Sequence, residues 1–522
     1  MPTADPAPST VDVGRPDGDG GAAEPVAEDI GPTRSDDGVV ADAHTSFAPT
    51  PTPKPGAVGG IWTLFAGLGL LMVGNGLNGA VIGIRSNTEG FSFVVTGVIM
   101  AGYFGGFLLA PSVIVQMIAR VGHIRVFAGL ASTASSAVLV HAISVTPVTW
   151  TLMRFVFGFC MAGLYIVVES WLAAMSTEAN RGRILAVYMI VSMGGLGIGQ
   201  FLTAFADPNG FELLVVASVL VSVALVPVTL AATTRAPQVT LPEPISIREL
   251  IRIVPSGVLA SFVAGLAVGI VFGLGAAYAS AIGLSRPRTG FFLVAPTIGA
   301  ILFQYPIGRL SDRVSRRVVI FGVALIGSAV SALLMVLPQQ IVAVPALMIV
   351  LGGMLFPLYS LAITYTLDWT PENQMVGASG TLIRINGSGA LLGPLIAAPL
   401  MSSFGSRWFF WTLSIAFGIL VVYLAWRIVA KEGLPVRQQR DFVPFPARAG
   451  SIALNLVVGT ARRAASSRSS REVNITSRRH PHAGTDAVES GHVAAGDTLV
   501  AEADATAGRD GDADVADGPA TS

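Results

Sequence analysis

Few side chains in this 522-residue chain combine a reactive type with a setting that would use it. Glu169 stands inside the apolar run around Val167-Val168-Glu169-Ser170, and Arg154 and Arg384 stand inside two others. A charge at membrane depth costs about 2.5–3.5 kcal/mol on insertion scales, so an ionisable group kept there marks a functional site by default. A carboxylate so placed either takes up and releases a proton or pairs with neighbouring cations as a gate. Arginines so placed either hold a carboxylate or phosphate through paired N–H donors or serve as structural cations bonded to carbonyls. A second constellation, Gly308-Arg-Leu-Ser-Asp-Arg-Val-Ser-Arg-Arg317, sets the acid Asp312 beside Arg313, Arg316 and Arg317. Such a cluster can form in one arrangement of the chain and break in another.

Other chemistries find no residues here. The one cysteine, Cys160, lies in an apolar run, which fits a small buried side chain and excludes a disulfide framework. Of six histidines, His44, His480, His482 and His492 lie in polar ends, and no metal-ligand spacing occurs. There is no Gly-x-x-x-x-Gly-Lys-[Ser/Thr] loop to cradle ATP and no cluster of nucleophile, base or metal ligands. No catalytic residue, cofactor or metal is expected. With 32 basic and 32 acidic residues the chain has no bulk attraction to nucleic acid.

The elements that must position the candidate groups are membrane helices. A chain that is 52% hydrophobic and 12% charged, with mean hydropathy +0.67, has lipid as its solvent. Apolar segments run near 61–83, 91–118, 124–145, 147–174, 183–205 and 211–233, then near 255–282, 289–308, 317–336, 341–367, 375–401 and 408–428. Most hold about the 20 residues a helix needs to cross the hydrocarbon, and lipid offers backbone amides no other partner. The expected fold is an all-α membrane protein: twelve transmembrane helices in two pseudo-symmetric six-helix halves, 59–233 and 255–430. A polar loop, 234–254, joins them. Residues 1–58, acidic and rich in Pro and Gly, and residues 431–522 read as tails without a core. Within the second tail Ile452–Val458, followed by Arg462, Arg463, Arg468 and Arg471, suits either a membrane surface or a solvated linker. No signal-peptide pattern precedes Ile61, so the first span is expected to act as insertion signal. Fourteen Lys and Arg flank the spans on one side against four on the other (Arg85, Arg286, Arg288, Arg407), which predicts both termini and the central loop in the cytoplasm. Glycines crowd several spans, as in Gly194-Gly-Leu-Gly-Ile-Gly-Gln200 and its echo Gly387-Ser-Gly-Ala-Leu-Leu-Gly-Pro394, and predict close helix contact.

The Gly308–Arg317 run resembles the Gly-x-Leu-[Ala/Ser]-Asp-Arg-x-Gly-Arg-[Arg/Lys] loop of the major facilitator superfamily, with Ser315 where Gly is usual. Arg154-Phe-Val-Phe-Gly158 resembles that family's opening of the fourth helix. The Val-Val-Glu-Ser stretch and Asn180-Arg-Gly-Arg183 with Tyr188 are similar to the YcaD-like group of bacterial transporters. The resemblance covers about residues 60–430 and implies a monomeric secondary transporter of the inner membrane, moving a small solute by alternating access. The matching loop of the first half, from Gly106 through Gln116, Arg120, Gly122 and Arg125, lacks the acid, so no symmetric charge relay is expected.

The cavity candidates are therefore Asn75, Asn78, Tyr103, Arg154, Gln200, Gln304, Tyr359, Arg384 and Asn386. Each uncharged one could instead bond between helices, worth about 0.6 kcal/mol. The coupling or gating candidates are Glu169 with Arg181 and Arg183, and Gly308 with Asp312, Arg313, Arg316 and Arg317. Glu169 follows Arg154 by 15 residues, roughly 22 Å along a helix, so the two do not pair directly. Asp368 reads as an interfacial charge only. Two cavity arginines favour an anionic solute, and proton coupling rests on Glu169. An exporter of neutral or cationic apolar compounds and a non-transporting sensor of the same fold stay open as alternatives.

Overall fold

A computed structural model of the chain describes residues 57–177, 179–231, 245–338, 343–430, 439, 440 and 442. Twelve of its helices are long and apolar enough to cross a membrane. In chain order they are α1 (Gly60–Thr88), α2 (Phe93–Val121), α3 (His123–Ile143), α4 (Pro147–Met175), α5 (Arg181–Ala204) and α6 (Glu212–Leu230). The second set is α7 (Pro255–Ala281), α8 (Arg286–Ser311), α9 (Arg316–Val336), α10 (Ala343–Trp369), α11 (Met375–Phe404) and α12 (Trp408–Ala430). Among the described residues there is no strand.

Local chemistry sets the ends. The Ser92 hydroxyl accepts the Val95 N–H at the start of α2, and Thr146 does the same for Thr149 before Pro147 opens α4. Gly122, at φ +86°, turns α2 into α3 in a conformation that L side chains rarely adopt. The expected sixth span is broken at Ala224, three residues before Pro227. The segment read from sequence as a polar central loop holds a short helix, Ile247–Ile253, capped by Ser246 and tied to α11 where Thr381 donates to the Ile245 carbonyl, 2.6 Å. Residues 1–56 and the Ile452–Val458 stretch lie outside the described residues.

The glycines explain how each half is assembled. A Cβ at Gly106 would meet the Phe155 carbonyl, and one at Gly158 the Tyr103 carbonyl, so α2 and α4 touch backbone to backbone. Gly199 meets Val73 in the same manner across α1 and α5. The second half repeats both seams: Gly299 against Ile349 and Gly352 against Pro296 join α8 to α10, while Gly265 against Asn386 and Gly393 against Leu266 join α7 to α11. In lipid, where no hydrophobic effect drives helices together, close backbone approach supplies the dispersion contacts that hold them. The sequence echo between Gly194–Gln200 and Gly387–Pro394 is thus the same seam used twice, in α5 and in α11.

The two halves meet toward one end of the bundle, the far end, opposite to where α1 enters and α12 leaves. Asn87 donates to Ser280 (3.1 Å), Arg286 pairs with Asp207 (3.1 Å), and Phe201 packs on Phe291. Gly83 abuts Ala276, Gly97 abuts Ala398 and Pro394, and Gly197 abuts Thr297 and Val294. Near mid-height Gly387 abuts Leu108. These contacts run from the far end to about the middle.

Candidate functional site

A small cavity lies where the halves converge, with lining from α1, α2, α4, α5, α7 and α8. Asn75, Gly76, Gly79, Tyr103, Phe104, Arg154 and Gln200 come from the first half, and Phe272, Ala276 and Leu293 from the second. Its volume, about 20 Å³, is that of roughly one water. Both halves contribute walls to it. Gly79, with nothing within 4 Å of where a Cβ would stand, keeps the α1 side open.

The polar groups are tied to one another. Asn75 Nδ2 donates to the hydroxyls of Tyr165 (3.0 Å) and Tyr103 (3.3 Å), and Tyr165 in turn donates to Met72 Sδ (2.9 Å). The Arg154 guanidinium carbon stands 4.9 Å from the Tyr103 ring centroid, a cation–π distance. Gln200 is buried, and its Oε1 accepts no hydrogen bond from the described residues. The result is one cation, one aromatic face and two amides around a common point.

The end carrying the termini holds a second cluster, built on the Gly308–Arg317 run. Arg316, fully buried, bonds Asp368 through Nη1, the Arg440 carbonyl through Nη2 at 2.5 Å, and stands 3.6 Å from Asp312. Arg317 donates Nε and Nη2 to the Tyr365 hydroxyl (3.3 and 3.2 Å) and Nη1 to the Arg427 carbonyl (3.3 Å). Asp312 accepts the Phe442 N–H at 2.7 Å, and the Phe442 ring lies on Gly308 where a Cβ would be. Glu169, on α4, accepts the Tyr188 hydroxyl of α5 at 2.7 Å.

A model of the Major Facilitator Superfamily matches residues 257–469. The MFS-type transporter YcaD of Escherichia coli O6:K15:H31 (strain 536 / UPEC) is 29% identical over 373 residues, which cover 70% of this chain and 95% of the relative. YcaD of Escherichia coli strain K12 / DH10B gives the same identity and coverage. By this family model and by YcaD the chain is similar to transporters of the major facilitator superfamily. Solved members share its fold: the nucleoside transporter NupG, at TM-score 0.59 and 12% identity, covers 72% of this chain and 100% of its own. A bacterial homolog of the human lysosomal transporter Spinster, crystallised inward-facing and unoccupied, has TM-score 0.59 at 14% identity over 74% of this chain and 98% of its own.

The sequence-predicted residues divide. Tyr103, Arg154 and Gln200 meet in the cavity with Asn75. Asn78 does not: it is buried four residues after Gly74, on the stripe that Gly74 turns to Ala217 and Val221 of α6, and its amide finds no partner among the described residues. Gln304 donates to Ser360 (2.7 Å) and Asn386 to the Ser261 carbonyl (3.0 Å), so both serve contacts inside the second half, and Tyr359 is buried on α10 outside the cavity lining. Arg384 departs from the reading most clearly. It is exposed and lies outside the cavity lining, about one turn nearer the termini than Gly387, which abuts Leu108 of the first half. Asp368 is no interfacial charge but the buried partner of Arg316, 1% exposed at its side chain. At the mouth Arg181 is half-buried, while Arg183 and Arg313 are exposed. Phe104, Phe272 and Tyr165 escaped the sequence reading, since an aromatic in an apolar run carries no mark of which side it faces.

Proposed function

We propose that this superfamily transporter moves a small solute bearing acceptor oxygens, a carboxylate or phosphate foremost, by alternating access around the Asn75–Tyr103–Arg154–Gln200 cluster. The observation that carries the reading is the cavity itself: a buried guanidinium and an amide with an unfilled acceptor, walled by both halves and too small to hold a solute until they separate. With Arg384 outside the cavity lining, Arg154 is the cation assigned to the solute. The inter-half contacts gathered at the far end suit a state open toward the termini, and the charge bias of the loops assigns that end to the cytoplasm. Coupling is assigned to Glu169, because the Tyr188 hydroxyl can donate to its carboxyl in either protonation state, so a proton can come and go without breaking the contact.

The test is thermal stabilisation of the purified protein by panels of organic acids, phosphorylated compounds, nucleosides, neutral sugars and lipophilic cations. Bound solute at 100 times its Kd stabilises by about 2.7 kcal/mol. Stabilisation by anions that is lost in Arg154→Gln and kept in Arg384→Ala is expected. Stabilisation by lipophilic cations alone would replace the anion reading with that of a drug-type exporter.

A further inference from the structure

We propose that the C-terminal segment Gln439, Arg440 and Phe442 is a latch that docks on the Gly308–Arg317 cluster and holds the cytoplasmic mouth open. The proposal rests on the alternating-access reading above.

The segment is seated by backbone and ring together. The Arg440 N–H goes to Asp368 Oδ1 (2.9 Å), its carbonyl to Arg316, and its Nη1 lies 2.9 Å from Met375 Sδ at the start of α11. Two residues on, the Phe442 N–H goes to Asp312 and its ring covers Gly308. Gln439 is buried as well. A polar tail merely passing by would not give the amide protons of two alternate residues to two separate carboxylates.

What the latch occupies decides what it does. Across the halves, α5 and α8 touch where Gly197 meets Thr297. From there Arg183 lies 14 residues back along α5 and Asp312 lies 15 residues on toward the same end, about 21 and 22 Å at 1.5 Å per residue. Arg183 and Asp312 therefore stand at one depth on helices that face each other across the mouth. Rocking about the far-end contacts brings the Arg181–Arg183 corner to Asp312, where a charge-assisted pair would hold the mouth shut. The Phe442 N–H already occupies Asp312 Oδ1, and the Phe442 ring lies on Gly308, on the surface of α8 beside that acid. Tail and α5 compete for one acid, and release of the tail favours closure.

The experiment uses the full-length protein in liposomes, with Cys160→Ala to remove the native thiol and spin labels at Gly182 and Val314 across the mouth. A second pair, at Asn209 and Arg288, spans the far end. Phe442→Pro removes both the N–H and the ring, and Phe442→Ala removes the ring alone. The mouth pair is expected to gain about tenfold in short-distance population in Phe442→Pro, less in Phe442→Ala, with the far-end pair lengthening in step. Asp312→Asn added to Phe442→Pro should reverse the shift, because the closing pair then loses its acid. Identical distance distributions in wild type and both Phe442 variants overturn the latch. So does broadening at both pairs without reciprocity, since that reports a damaged fold. None of these readings needs a solute: distances that shift in a protein moving no tested compound keep the latch and remove the transport assignment. Measured uptake with unmoved distances does the opposite.

Discussion

Arg316 and Asp368 offer the sharpest test of the mouth cluster, because neither side chain has water to fall back on, at 0% and 1% exposure. Asp368→Leu would leave the guanidinium with the Arg440 carbonyl and with Asp312 at 3.6 Å, which is itself one-third exposed. Breaking a buried pair from one side costs about 3–5 kcal/mol, chiefly the penalty of an uncompensated buried charge. At 1.4 kcal/mol per tenfold, that is two to four decades in the folding equilibrium. Replacing both partners with apolar groups of similar volume removes the pair and the penalty together, so Arg316→Met/Asp368→Leu should fall within roughly 1 kcal/mol of wild type. Arg316→Met alone should cost less than Asp368→Leu, because Asp368 keeps the Arg440 N–H at 2.9 Å. Reversible unfolding in mixed micelles, read by near-UV circular dichroism, gives the four corners of the cycle. Additive single costs, with the double variant the least stable of the set, would refute the claim that the two charges are held as a desolvated pair.

The glycine seams predict that neighbouring positions in one motif respond oppositely. A Cβ at Gly194 meets nothing within 4 Å and one at Gly195 meets Met72 Cβ at 2.7 Å and the Gly69 carbonyl at 3.1 Å. Gly195→Ala should therefore destabilise by about 1–3 kcal/mol while Gly194→Ala is neutral or slightly stabilising, as thermal unfolding in detergent will show. At Glu169, uptake into proteoliposomes should lose its pH dependence in Glu169→Gln and retain it in Tyr188→Phe with a displaced midpoint. An unchanged profile in Glu169→Gln removes the residue from proton coupling.

The spans were legible because length and apolarity suffice to find them, and the boundaries moved by only a few residues: 91–118 became Phe93–Val121 and 183–205 became Arg181–Ala204. Facing was not legible, and Arg384 shows why. In a soluble helix a leucine stripe marks the inside. In a membrane helix the lipid side is as apolar as the core, so the apolar residues around Arg384 gave no sign that it stands outside the cavity lining. Depth along the helix, which sequence does supply, places a residue at the right height and leaves its rotation open. The same gap separates Asn75 from Asn78, which are only about 60° of helix rotation apart, with Asn75 alone in the cavity lining. The tail contact at Phe442 was invisible for another reason: its bonds run through backbone amides, which every residue has, to acids more than 70 positions away.

The carbonyl-to-glycine seams within each half carry a thermodynamic consequence. A packed leucine or methionine surrenders rotamer freedom when it is buried, of the order of 0.5–2 kcal/mol, and glycine surrenders none from a side chain it lacks. Helices that dock through Gly106, Gly158, Gly265 and Gly299 freeze few side chains in doing so. Their association is correspondingly poor in side-chain entropic cost, and the contacts between halves at Gly83, Gly97 and Gly197 share that saving, so the halves can part and rejoin there without releasing and refreezing bulky side chains.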